Sequence, residues 1–325
     1  MERLRAAGRR SVVRFAIVFL FFSLVVGNAA AATEAPGSAS TVSAQPSGYS
    51  EKGADTCLAC HNDESMLLIF RTPHGQGSNP DAPFAHLQCE SCHGPGEEHT
   101  GRKNVGAGHP PIVNFGRRAD APVEEQNKVC MNCHSKDLGI PWTGSAHQRN
   151  QIACADCHQV HATVDPVSLL TEQADVCFAC HQKQRADSFK PSAHPVRFGV
   201  MTCSGCHDPH HAAGAALVKE NTVNQLCWSC HAELRGPYLF EHPPVSENCL
   251  LCHYAHGSIH EAMLTKRPPL LCQSCHSQRG HPSVSYTPNS LAGNRPSAFV
   301  VNGSCLNCHS QVHGSNHPSG AKLMR

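Results

Sequence analysis

The 325-residue chain is short of the material from which a globular interior is ordinarily made. Aromatic residues amount to 6%, with two Trp and four Tyr, too few for the large buried rings that dominate the cores of domains this long. Long hydrophobic runs are missing with one N-terminal exception. Beyond it nothing approaches the ~20 apolar residues that span a bilayer, so the rest of the chain is not expected to cross a membrane on its own helices. An excess of charge of one sign is missing too, since 26 Lys and Arg face 25 Asp and Glu. That excludes the basic footprint of a nucleic-acid binder. What the chain does have is 20 cysteines and 25 histidines.

The exception is "FAIVFLFFSLVV", Phe15 to Val26, which follows Arg3, Arg5, Arg9, Arg10 and Arg14 and precedes the small-residue stretch "GNAAAA". A charged region, a 12-residue apolar core and a small-residue site read as a secretory signal peptide over 1–32, cleaved near Ala31 or Ala32. The core is too short for a membrane anchor. Arg9 and Arg10 raise twin-arginine export, but that route carries folded cargo, so general secretion fits the chemistry described next. Residues 33–52, rich in Ala, Ser, Pro and Gly, read as a flexible leader, and 53–325 as the organised domain. Cleavage leaves 21 basic against 24 acidic residues, a net charge of −3.

The cysteines fall into one pattern, C-x-x-C-H, ten times. The cysteine pairs are Cys57 and Cys60, Cys89 and Cys92, Cys130 and Cys133, Cys154 and Cys157, Cys177 and Cys180, Cys203 and Cys206, Cys227 and Cys230, Cys249 and Cys252, Cys272 and Cys275, Cys305 and Cys308. The histidines that follow are His61, His93, His134, His158, His181, His207, His231, His253, His276 and His309. On one helical turn residues i, i+3 and i+4 share a face. Two thiols there can form thioethers with the vinyl groups of one porphyrin while the imidazole reaches its iron, which is covalent haem c attachment. Ten covalent haems would use all 20 cysteines. Zinc would not require histidine after every second cysteine, and a disulfide framework need not repeat one short motif.

The remaining histidines are also patterned. A lone histidine follows a motif histidine by 13 residues at His74, His147 and His194, and by 11 at His242. A trailing histidine follows the next motif by three at His161, His210 and His256. The repeat is therefore a two-haem unit of motif, lone His, motif and trailing His, and five units cover the domain. The end units are irregular, with His99 six residues after His93, His281 five after His276 and His313 four after His309. Atypical ends are expected of a linear array. These ten histidines are the expected distal ligands. Which iron each one reaches is not readable from spacing. His86, His109, His211, His260 and His317 read as surface or supporting imidazoles, and Met66, Met201 and Met263 as packing residues.

Iron held by two imidazoles has no ready place for a substrate; it changes oxidation state, at a potential lower than a Met/His pair gives. The expected fold is a multihaem cytochrome c, mostly irregular with short helices. It is expected to be an elongated linear array with haems in place of a side-chain core. Segments such as "EEQNKVCMNCH" and "NTVNQLCWSCH" read as one or two helical turns delivering a motif. A multihaem nitrite or hydroxylamine enzyme needs one open iron, for which no C-x-x-C-K variant is present.

Beyond the motifs, "KGADTCLACH", "CHGPGEEH", "CADCHQVHATVDPV", "AELRGPYLFEHPPVSENCLLCH" and "SCLNCHSQVHGSNHPSG" resemble the MtrA/DmsE decahaem cytochromes. The resemblance covers about Lys52 to Arg325. It implies an exported cytochrome threaded into an outer-membrane β-barrel porin, passing electrons between periplasm and cell exterior, for metal reduction or Fe(II) oxidation. Its implied partners are that porin, an extracellular multihaem cytochrome, and periplasmic or inner-membrane cytochromes. It supports the same ten distal histidines, with His313 and His317 left as alternatives. A soluble periplasmic shuttle to a terminal reductase is the competing reading.

Overall fold

The computed structural model describes residues 48–101, 108–211, 215–276 and 305–324, and of 136–141 the backbone alone. The expected signal peptide, residues 33–47 of the leader, and His281 lie outside the described residues. Short helices carry the first motif of each unit: α1 (Ala54–Leu58), α2 (Val123–Trp142), α3 (Gln173–Phe178), α4 (Val223–Trp228) and α5 (Leu270–Gln273). α4 starts where the Thr222 hydroxyl accepts the amide of Gln225 at 3.1 Å, a side-chain cap for an otherwise orphaned N–H. α2 starts after Pro122 with Glu124 and Glu125 in its first turn, where negative charge suits the helix dipole.

At 20 residues α2 is much longer than the one or two turns expected around Cys130. Ser135, Lys136, Asp137 and Leu138 contain no helix breaker, so nothing stops the helix directly after the motif. The second motifs sit on single turns: Glu90–His93, Cys154–Asp156, Cys203–Cys206, Cys249–Leu251 and Cys305–Asn307. No β-sheet forms among the described residues; extended pairing is confined to four isolated bridges.

Amide side chains, three of the four buried, join the two motifs in each of the first four units. Asn127, three residues before Cys130, accepts the Cys154 amide at 2.8 Å and donates to the Ile152 carbonyl. Asn224, three before Cys227, repeats this on the Cys249 amide at 2.8 Å and on the carbonyls of Val245 and Ser246. Gln173 does the same for Ser204 at 2.9 Å. In the first unit the direction is reversed, and the Gln88 amide oxygen accepts the Ala54 N–H. A buried amide is costly unless hydrogen-bonded, so each clamp fixes one relative placement of two motifs. Glu90 is buried as well and holds the N-terminal edge, accepting Ser50 N–H at 3.0 Å and Gly96 N–H at 2.7 Å.

Successive units interlock through the bridges. Ser192 pairs with Ser258, and at the equivalent positions Phe240 pairs with Ser315. The residue two before a lone histidine thus meets the residue two after the trailing histidine of the next unit. Glycine is required there. Gly257 has φ 143° and an added Cβ would strike the Asp187 carbonyl, while Gly314 has φ 132° and would strike the Tyr238 ring. Among the described residues the buried apolar side chains are Ala54, Ala82, Trp142, Ala153, Ala174 and Phe178, mostly alanine. Such a set cannot form a conventional core for this length.

Candidate functional site

Each motif is built as one turn. In nine of them the histidine N–H bonds to the carbonyl of the first cysteine at 2.8–3.1 Å, and the tenth, at Cys130, lies within α2. Both thiols and the imidazole therefore project from one side of the turn.

The thiols place the ten motifs in order. Within each unit the two first cysteines meet: Cys57 with Cys89, Cys130 with Cys154, Cys177 with Cys203, Cys227 with Cys249, Cys272 with Cys305. Burial, then the like charge of the facing thiol, pushes Cys57, Cys227 and Cys272 up to about 11 as free thiols. Between units the second cysteines approach: Cys92 with Cys130 and Cys133, Cys157 with Cys180, Cys206 with Cys230, Cys252 with Cys275. The two kinds of interaction alternate, so each motif lies beside the next in chain order.

The imidazoles meet in pairs. Ring centroids lie 6.4 Å apart for His61 and His99, 6.4 Å for His93 and His161, 6.1 Å for His134 and His74, and 5.8 Å for His158 and His210. They lie 6.2 Å apart for His181 and His147, 6.0 Å for His207 and His256, 6.2 Å for His253 and His313, and 6.1 Å for His276 and His242. Two imidazoles on one iron, each nitrogen ~2 Å from the metal, put their centroids about 6.3 Å apart. The spaces between the rings fit haem iron. Burial, then the facing imidazole, holds His74, His210, His256 and His313 below the usual imidazole range, which keeps a nitrogen lone pair free for a metal.

The far ring nitrogens are anchored, mostly to backbone carbonyls. His93, His207, His253 and His309 bond through Nδ1 to the carbonyls of Val113, Ala216, Ala262 and Lys322 at 2.6–2.8 Å. Ala216 and Ala262 hold left-handed φ of 57° and 51°, a strained geometry that aims the carbonyl at the ring. His147, His194 and His242 bond at 2.9 Å to Pro209, Ala255 and Val312, in each case the residue before a trailing histidine. His158 differs: its Nδ1 bonds to the Asp165 carboxylate at 2.6 Å.

Of the histidines read as supporting, His109 donates to the His99 carbonyl and its ring lies 5.1 Å from that of His99. His317 is engaged by Ser319 through Nδ1, while His313 faces His253. Asn127, Asn224 and Asp165 were not found from sequence, nor was Trp142, buried with its ring 6.1 Å from that of His210. The asparagines had a signal, since both stand three residues before a motif.

Turns that present two thiols and an imidazole, in file, with a second imidazole across an iron-sized gap, define a multihaem c-type cytochrome, an electron-transfer protein rather than an enzyme. Comparison with known proteins agrees. The NrfB-like cytochrome c-type family matches residues 89–174, the doubled CXXCH motif matches 194–236 and 242–281, and the cytochrome c554 and c-prime family matches 28–94. The chain is 48% identical over 280 residues to the multiheme cytochrome MtrA of Shewanella baltica, covering 85% of this chain and 83% of that one. It is 30% identical over 147 residues to the cytochrome c-type protein NrfB of Escherichia coli, 43% of this chain and 72% of the relative. The NrfB of Haemophilus influenzae is 32% identical over 158 residues, 41% and 68%. The chain belongs to the MtrA family of multihaem cytochromes.

Proposed function

We propose that this cytochrome carries ten covalent haems, each iron held by two imidazoles, and conducts electrons along the file between periplasm and cell exterior from inside an outer-membrane porin. When bound, haem c supplies a one-electron Fe(III)/Fe(II) couple at each site. The chain's own residues do the rest. The cysteine pairs would hold each porphyrin, the alternating thiol interactions keep neighbours close, and the histidine pairs would hold each iron and leave no place for substrate.

Seven of the eight ring pairs follow one rule, and the eighth, His61 with His99, closes the leading end within one unit. The lone histidine of a unit serves the first motif of the next, and the trailing histidine serves the second motif of the unit before. The rule gives His194 to His231, and at the end of the array, where no further unit follows, the two histidines left over, His281 and His309, pair as His61 and His99 do at the start. The unbroken alternation of contacts along the ten motifs carries the conduit reading, since a shuttle has no need of so long a file. The family resemblance supplies the porin, and the N-terminal charge and hydropathy pattern supplies export. No helix among the described residues is long and apolar enough to cross a membrane, and a closed barrel that satisfies its own backbone could hold a polar cytochrome in its lumen.

The test is co-expression with an outer-membrane β-barrel porin carrying an affinity tag, followed by reconstitution into vesicles that enclose an oxidised dye. A stable complex that reduces the dye from an external donor is expected. Cytochrome recovered free of the barrel would favour the soluble shuttle.

A further inference from the structure

The five second-motif histidines occupy equivalent positions, and four of them bond through Nδ1 to backbone carbonyls. The fifth, His158, bonds to a carboxylate, and that carboxylate is itself held in place. Asp165 uses Oδ2 for His158 at 2.6 Å and Oδ1 for the amides of Gln159 and Val167 at 3.2 and 3.4 Å, capping the turn Pro166–Ser168. Nearby Asp156 is different, with its charge offset by Arg117 at 3.7 Å. Glu233 comes no nearer than 3.5 Å to His231, from an exposed position. A carboxylate accepting the far N–H of a metal-bound imidazole makes that ligand more basic and places a negative charge two bonds beyond the ring. Both effects favour Fe(III) over Fe(II).

We infer that Asp165 holds the haem carried by Cys154, Cys157 and His158 at a lower potential than the haems on the other four second motifs. The inference rests on His158 being an iron ligand. One electron enters the Fe(III) centre to give Fe(II), the proton stays on His158 Nδ1, and no bond to Asp165 breaks. The fourth haem of the file is then reduced after the second, sixth, eighth and tenth.

The experiment is a spectropotentiometric titration of the full holoprotein, wild type and Asp165→Asn, with haem content measured on both. One tenth of the reducible haem is expected to move to more positive potential, its oxidised-to-reduced ratio at fixed potential falling about tenfold, which is about 59 mV for a one-electron couple. The other nine tenths should superimpose. Superimposed curves at full haem content, a negative shift or a shift spread over many haems would overturn the inference. Should the variant load haem incompletely, the wild type serves alone. NMR of the fully reduced, diamagnetic protein labelled with 15N-histidine should show one ring N–H far downfield of those bonded to carbonyls, and its absence would overturn the inference too. High-spin haem in the wild-type spectrum would instead count against the ligand pairing itself.

Discussion

His242 is the residue at which axial ligation can be tested one site at a time. Its ring faces His276 at 6.1 Å, and its Nδ1 is anchored by Val312 in a different unit. Replacing His242 with Met should raise the potential of the haem on Cys272 and Cys275 by on the order of 100 mV, because thioether ligation favours Fe(II). Redox titration of the variant should show one haem displaced upward and nine unmoved. The histidines proposed as distal ligands carry a signal in the sequence, because the distance of most of them from a motif is repeated. Their partners could not, since His158 and His210, or His253 and His313, are brought together only by folding across more than 50 residues. Asp165 was equally hidden, as one carboxylate in a loop carries no periodic signal.

At the scale of elements, the Asn clamps and the paired glycines hold the units in register. Asn224→Ala removes the acceptor for the Cys249 amide and leaves the Val245 and Ser246 carbonyls short of a donor. A local loss of about 1–3 kcal/mol is expected, read as faster hydrogen exchange at Cys249 while amides in distant units keep their protection. Gly257→Ala forces a side chain into left-handed backbone against the Asp187 carbonyl and should cost on the order of 1–3 kcal/mol. Gly205→Ala, whose Cβ would meet the Thr202 hydroxyl at an ordinary 3.5 Å, should be near neutral by thermal melting. The helices were legible where a motif turn followed helix-forming residues. The length of α2 was not, because motif spacing says nothing about where a helix stops once the motif is complete.

At the scale of the whole molecule, the proposed single file predicts a long particle. A compact chain of about 290 residues would have a radius of gyration near ~19 Å, whereas a conduit has to reach across a bilayer ~40–45 Å thick. Small-angle scattering of the holoprotein should give a rod-like profile well above the globular value, and a spherical profile would count against the conduit. The scarcity of apolar core was legible in composition, and the structure bears it out with alanine at most buried apolar positions. What composition could not show is that polar clamps and bridges take over the work of a core, because an asparagine in a clamp and an asparagine in a loop count alike.

The exchange of imidazoles between neighbouring units also says how such an array can grow. At the leading edge the first motif has no predecessor to lend it a histidine, and His99, which no earlier motif claims, faces His61 instead. On the proposed pairing the trailing edge closes in the same way, His309 taking the unclaimed His281. On that pairing each end would leave one iron and one imidazole without a partner from a neighbouring unit, and these would satisfy each other. The architecture is thus self-terminating at any unit boundary, so modules can be duplicated or lost without rewriting the rest. Excising residues 177–226, a 50-residue repeat from one first cysteine to the next, should leave His147 to serve His231 and His256 to serve His158. The expected product is an eight-haem cytochrome that is low-spin throughout, and a high-spin band in its spectrum would show that the modules are not interchangeable.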